Sequence, residues 1–415
     1  MSNNLVISSS KEILETMDNC TKCGICYSFC PVANVTNEFP GPKYTGPQSQ
    51  RFRSIEFLEE LSPDLCNGCG ICTSVCPNEV AITDIITLAK SNLNNKNKKI
   101  SFLQKILNRP DTVGIIGNLF PILSNYILHS SIFRFIAEKL LGLDRNAPMP
   151  KFSGRKFKKF VNKVNFQGNK PNIFYFSGCS VDHYDYEVGI STVKILDILG
   201  YNVITETGLC CSLPMLSSGE FDKAKHRSRK TIVNLKKKLD KVNYIVSTST
   251  SCSLTLRKKY SEYLDFTDQD SLKVSKSIKD ICEYFLQEHF DYFSKNLNPI
   301  NFKKVFYHGP CQLKSHSMGL PALEIMRLIP ELKIILSEAD CCGIGGTYGY
   351  DKEKSHISNS IKKNLVEQIK YSKPDLVVCD SETCRWNIEK STKIKTIHPI
   401  QLLIISLETN QKKYE

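Results

Sequence analysis

Two runs of four cysteines constrain this chain more than any other feature. They are Cys20-x2-Cys23-x2-Cys26-x3-Cys30-Pro31 and Cys66-x2-Cys69-x2-Cys72-x3-Cys76-Pro77. Three thiolates on one tight segment hold three corners of an iron–sulfur cube, and the fourth corner needs a thiolate from elsewhere. In the bacterial two-cluster pattern the last Cys of each run crosses to the other cube. The spacing therefore predicts one [4Fe–4S] cluster on Cys20, Cys23, Cys26 and Cys76. It predicts a second on Cys66, Cys69, Cys72 and Cys30. Structural zinc, the competing use of Cys-x2-Cys, takes four ligands per ion and leaves the full runs unexplained. Gly24, Gly68 and Gly70 give backbone that can approach a cube closely. Pro31 and Pro77 stop a helix just past the last ligand.

The remaining cysteines belong to a repeat. NIFYFSGC, ending at Cys179, matches KVFYHGPC, ending at Cys311. Cys210-Cys211 matches Cys341-Cys342, and YIVSTSTSC, ending at Cys252, matches LVVCDSETC, ending at Cys384. Cys179 and Cys311 are 132 positions apart, as are Cys252 and Cys384, and Cys210 and Cys341 are 131 apart. Four landmarks in register mean two copies of one unit. Within each copy an apolar β-run ends at the first Cys, an amphipathic helix follows, and a second strand leads to the paired Cys. A long charged helix and a third strand then lead to the last Cys. Strands alternating with helices predict parallel α/β units with the cysteines gathered at strand ends. Each copy has four thiols, enough for one further cluster: Cys179, Cys210, Cys211 and Cys252, then Cys311, Cys341, Cys342 and Cys384, with Cys379 as an extra. Cys282, in the helical run KDICEYFLQEH, reads as a core residue. His308, His316 and His398 lie near landmarks, and His308 could tune or ligate a cluster. The glycines of GIGGTYGY after Cys342 are expected to bring backbone amides to cluster sulfur.

The fold class expected is multi-domain α+β: an α-helical bacterial-type two-cluster ferredoxin domain followed by two repeated α/β cysteine-rich units. The boundaries are 1–95 for the ferredoxin-like domain and 96–170 for a helical, basic connector. The repeats then occupy 171–299 and 300–415. A polar linker is expected over 91–99, and helix over SIEFLEELS between the two cysteine runs. The first twenty residues carry charges and no apolar signal run, which places the 18 cysteines in a reducing cytosol as metal ligands, redox groups or buried side chains. A net charge of +13 is spread over Lys-rich stretches without a nucleic-acid-binding module, so no nucleic acid partner is expected. Residues 113–133 are uncharged but interrupted by Asn118, Pro121, Asn125 and His129, a poor spanning segment. They read as an interfacial membrane contact flanked by basic residues, or else as helices buried between domains.

Three long stretches carry a resemblance: FPGPKYTGP after Cys30, DCCGIGGTYGY around Cys341, and SETCRWNIEKST around Cys384. In these the chain resembles the C subunits of anaerobic glycerol-3-phosphate dehydrogenases. They lie within the wider family with paired CCG motifs, with heterodisulfide reductase B and D subunits and the iron–sulfur subunits of glycolate and lactate oxidation systems. The resemblance implies a non-flavin electron-transfer subunit with no substrate chemistry and no catalytic residue of its own. Two flavoprotein dehydrogenase subunits would supply electrons, membrane quinone would accept them, and the chain would sit peripherally on the inner face of the cytoplasmic membrane. The alternatives are a glycolate or lactate complex, or a disulfide reductase working at Cys311, Cys341, Cys342 and Cys384. The chain departs from the pattern at Ser212, which replaces the glycine of CCG, and at Ser249 and Ser381, which replace the first Cys of a closing Cys-x2-Cys. These departures favour ordinary or degenerate clusters over a five-thiolate noncubane one.

Overall fold

The computed structural model describes residues 9–53, 62–96, 100–164 and 170–408. Its second half contains two four-stranded parallel sheets, ordered β2-β1-β3-β4 and β6-β5-β7-β8. The runs NIFY and KVFY form β1 (Asn172–Tyr175) and β5 (Lys304–Tyr307). Both are interior strands buried on two faces, which is why they are almost wholly apolar; Tyr175 and Tyr307 are fully buried. β2 (Asn202–Thr205) and β6 (Lys333–Leu336) are edges, pairing Asn172 with Asn202 and Lys304 with Lys333. β3 (Ile245–Ser247) and β7 (Leu376–Val378) lie on the other side of the central strands. Long helices Phe221–Lys238 and Lys352–Ser372 make the crossovers that parallel pairing needs.

Each sheet has a fourth strand that the sequence pattern does not announce, β4 (Ile278–Asp280) and β8 (Thr396–Ile397). Three and two residues carry too little alternation to read as strands.

The two units share one core. Helix Tyr186–Ile198 of the first packs on helix Pro399–Glu408 of the second, and helix Ile281–Glu288 of the first packs on helix Pro321–Met326 of the second. Ile195, Leu196, Phe285, Ile325, Leu402 and Leu403 are fully buried there. Each such side chain contributes about 1.5–3 kcal/mol relative to exposure, so this seam is a domain interior rather than a contact between separate bodies. Cys282 lies in it as the core residue expected.

The first unit carries an insertion. Cys252 precedes β4 by 26 positions, whereas Cys384 precedes β8 by 12. The extra chain, which includes helices Tyr260–Leu264 and Gln269–Ser277, grips the N-terminal domain. Lys259 Nζ and Tyr263 Oη both meet Asp84 Oδ1, at 2.5 and 2.7 Å, and Ser10 N donates to Asp265 Oδ1 at 2.8 Å. Asp84 lies on helix Ile82–Lys96, whose Ile85 and Ile86 are fully buried. This helix runs through most of the stretch expected as a linker. It is held there because Asn94 Nδ2 donates to Ser218 O at 2.7 Å. The expected helix in SIEFLEELS lies, apart from Ser62, outside the described residues.

The connector forms helices Pro110–Gly117, Pro121–His129 and Ser131–Leu141, the first two opened by proline at a position where its missing N–H costs nothing. The first packs on helix Gly178–His183 of the first repeat, with Asp111, Gly114 and Gly117 buried, as the buried alternative expects, whereas the stretch after it is open. Phe120, Ile122, Tyr126, Ile132 and Leu140 are 71–87% exposed. Among the described residues no helix is long and apolar enough to cross a membrane.

Candidate metal centres

In the N-terminal domain the short helices Ile25–Ser28 and Ile71–Ser74 each follow a glycine in the left-handed region, Gly24 at φ 87° and Gly70 at φ 81°. That turn sets Cys26 and Cys72, the third cysteine of each run, inward, and both are buried. Cys26 is pushed up by burial and by the facing thiols of Cys76, Cys20 and Cys23. Cys30, Cys66, Cys69 and Cys72 line a single cavity closed by Pro31, Val32, Phe39, Pro42, Asn67 and Thr83. Each run therefore sends its last Cys to the other run's thiols. Ala33 N donates to Cys30 Sγ at 3.4 Å and Gly68 N to Cys66 Sγ at 3.5 Å. Burial pushes Cys30 up to about 12 and Cys69 and Cys72 well upward. Thiols held so far from ionisation become thiolates when a metal displaces the proton. Four thiols spread around one cavity suit a polynuclear cluster.

In both repeats the thiols gather at the carboxyl ends of parallel strands, where open α/β sheets place their ligands. In the first, Cys252 Sγ lies 3.3 Å from Cys211 Sγ. Hydrogen bonds from the Cys179 and Cys211 thiols hold Cys210 well below the usual thiol range. In the second, Cys342 Sγ lies 2.9 Å from Cys384 Sγ, and Cys341 is held low by the thiols of Cys311 and Cys342. All eight repeat cysteines thus meet in two groups of four. Cys379, fully buried, hydrogen-bonds to Cys384 and makes the second group five.

The two paired-Cys turns are alike despite the altered motif. Gly343 N donates to Cys341 Sγ at 3.3 Å, as expected of the glycine-rich loop, and Ser212 N donates to Cys210 Sγ at 3.4 Å. Gly343 has φ 87°, and a side chain there would strike Ser358 O. Ser212 keeps the same left-handed turn at φ 61°. Ser249 caps helix Thr250–Leu254, its Oγ accepting from Cys252 N, so the hydroxyl there fixes the turn that carries Cys252.

The histidines divide. His316 Nε2 bonds Ser253 Oγ and Thr250 O, and His398 Nε2 bonds Thr248 O at 2.9 Å, so both are structural. His308 is fully buried; its Nδ1 meets Ser337 Oγ at 3.2 Å and its Nε2 has no hydrogen-bond partner. Burial holds it below the usual range, opposed by the nearby Cys384 and Cys341 thiols.

One residue that no motif marks joins the two halves. Asn67 accepts from Cys69 N at 3.2 Å through Oδ1 and points Nδ2 at Cys341 Sγ, 3.9 Å away. Gln312, next to Cys311, donates to Gly68 O at 3.3 Å. The second ferredoxin cavity therefore abuts the thiols of the second repeat, one side chain apart.

Comparison with known proteins agrees with this arrangement. Residues 16–80 match the 4Fe-4S dicluster domain, and residues 173–257 and 305–389 each match the cysteine-rich domain of the CCG family. The chain is 32% identical over 397 residues to the C subunit of the anaerobic glycerol-3-phosphate dehydrogenase of Escherichia coli (strain K12), covering 94% of this chain and 99% of that protein. The chain belongs to this family of C subunits. It is also 27% identical to the B subunit of the fumarate reductase (CoM/CoB) of Methanothermobacter marburgensis, over 60% of this chain and 47% of that protein. Lactate utilization protein A 1 of Bacillus mycoides is 25% identical over 57% of this chain and 96% of its own length. As a C-subunit relative with a dicluster domain, the chain is an iron–sulfur electron-transfer protein whose N-terminal region takes two [4Fe–4S] clusters.

Proposed function

We propose that this chain relays electrons from two flavoprotein subunits that oxidise glycerol 3-phosphate to membrane quinone, and tethers them to the membrane face. The observation that carries the reading is the Asn67 bridge from the Cys69 loop to Cys341. A relay needs its redox sites in series, and a cofactor pocket that meets a second thiol group through one side chain supplies that. Cys20, Cys23, Cys26 and Cys76 hold the first cluster, with Cys23 exposed at the surface. Cys66, Cys69, Cys72 and Cys30 hold the second. The repeat thiols Cys179, Cys210, Cys211 and Cys252, and Cys311, Cys341, Cys342 and Cys384, hold one further cluster each. Bound clusters supply single-electron steps; the chain itself orients them, excludes water and directs backbone amides at sulfur.

Membrane attachment runs through the connector. It exposes apolar side chains, among them Phe120, Ile122, Ile132 and Leu140, and the basic stretch 151–163 follows. Apolar area plus positive charge is the combination that holds a protein at an anionic bilayer surface. Phe120→Glu with Ile122→Glu should release the protein from anionic vesicles in a flotation assay; retention would refute attachment here. The relay is tested on the complex isolated anaerobically. Glycerol 3-phosphate should bleach the visible cluster absorbance and a quinone analogue should restore it. Bleaching by lactate or glycolate alone would reassign the partner subunits.

A further inference from the structure

Beside the shared core a cleft of about 990 Å³ opens between the connector and the second repeat. Ser131 and Arg134 line one wall, Tyr184 lies within, and Arg385, Trp386 and Lys390 line the opposite wall. We infer that this cleft is the quinone-reducing site; the assignment rests on the relay proposed above.

Three observations carry it. The first is electrical. Trp386 and Arg385 follow Cys384 directly on helix Glu382–Thr392, and Arg385 Nη1 donates to Cys379 O at 3.0 Å. On the other side Tyr184 closes the C-terminal end of helix Gly178–His183, which carries Cys179. The cleft is thus lined by chain segments that carry a cysteine of each thiol group. The second is shape. Tyr184 and Trp386 meet edge to face with ring centroids 5.8 Å apart, giving an aromatic floor for a planar ring. The third is the mouth. Ser131 and Arg134 face the cleft from helix Ser131–Leu141, whose other faces expose Ile132, Phe135, Ile136 and Leu140. A ring in the cleft can send its isoprenoid tail along those side chains.

The lining is also cationic. Arg134 is held by the carbonyls of Asp144, Arg145 and Ala147 and Arg385 by Asp185, and Lys151, Lys390, Lys393 and Lys395 line the same cleft. Such cations stabilise negative charge as it gathers on a quinone carbonyl oxygen. Clusters held by the repeat thiols would supply two electrons, one at a time, and be reoxidised. Two protons would enter from water through the open cleft, so that each quinone carbonyl oxygen becomes a hydroxyl.

The test uses the intact complex and a short-chain photoreactive naphthoquinone. Label should fall on peptides from 131–141 and 382–392, and unlabelled naphthoquinone should compete it away. Ser131 is exposed at the mouth, so Ser131→Phe narrows the entrance without disturbing packing. It should raise the half-saturating quinone concentration at least tenfold. Label elsewhere, or a half-saturation within twofold of the parent, overturns the cleft while quinone reduction by the complex stands. A complex that fails to reduce quinone at all removes the relay reading, and the cleft assignment with it. Trp386, the chain's sole tryptophan, gives a second binding readout: its emission should fall saturably with naphthoquinone, and the saturation should shift with Ser131→Phe.

Discussion

The pair Asp185–Arg385 crosses from one repeat to the other, and removing its acid should loosen both. Arg385 is only 6% exposed in its side chain and Asp185 18%. Arg385 Nη2 donates to Asp185 Oδ2 at 2.7 Å and Trp386 Nε1 to Asp185 Oδ1 at 3.0 Å. Each hydrogen bond to a charged group is worth about 1.5–3 kcal/mol. Breaking a buried pair by deleting one partner costs about 3–5 kcal/mol, because the other charge is stranded. Two carbonyls still hold Arg385 Nη1 after the deletion, so Asp185→Ala is placed at the lower end, about 3 kcal/mol. With a urea slope of about 3 kcal/mol per molar, the unfolding midpoint drops by about 1 M. Far-UV circular dichroism on the anaerobic protein reads it. Pairing Asp185→Leu with Arg385→Met removes both charges, and the double variant should recover most of the loss. A single variant within about 1 kcal/mol of the parent, or a double variant as costly as the sum, would refute the argument.

Three further outcomes are expected. Cys23→Ser should remove or convert one N-terminal cluster, seen as lost iron and an altered electron paramagnetic resonance spectrum; unchanged content would reject the ligand assignment. Ser212→Gly should stabilise the apoprotein by about 1 kcal/mol, because it relieves a left-handed backbone and deletes a buried hydroxyl that has no partner; a lower melting temperature would count against it. Asp280, buried beside Asp380, has its carboxyl pushed up to about 8, first by burial and then by that neighbour. A raised acid favours folding below its unfolded value near 3.8 and loses that favour as pH climbs toward 8. Asp280→Asn, which can still cap helix Ile281–Glu288, should therefore flatten the fall in stability between about pH 4 and 8, and equal slopes in parent and variant would exclude it.

The cysteine chemistry was legible because its signals are local. Cys20 to Cys30 and Cys66 to Cys76 each span a few turns of chain, and the repeat could be read from spacing alone. The β1 and β5 runs were legible for the same reason, being buried on both faces. What stayed hidden depends on contacts far apart in the chain. Asn67 and Cys341 are 274 positions apart, and nothing in NGC marks Asn67 as a bridge. β4 and β8 exist because a neighbouring strand offers an open edge, not because of their own sequences. The polar segment after Lys90 stays helical because it rests on Ser218 of the first repeat. Ser212 looked like a lost motif residue and turned out to preserve the turn of Gly343, at a conformational cost that composition does not display.

The insertion after Cys252 has a consequence for direction. Two identical chains related by a two-fold axis would present the same face twice, and a third module could not prefer either. Here both halves lie on one chain and have diverged. The first carries the clasp on Asp84, and the second carries the fifth thiol, a histidine where its twin has Phe176, and the Asn67 contact. The N-terminal domain thus meets two unlike halves, clasped by the insertion of the first and packed on Cys341 and Tyr348 of the second. Under the relay proposed above, that asymmetry would make the two halves successive stations instead of duplicates.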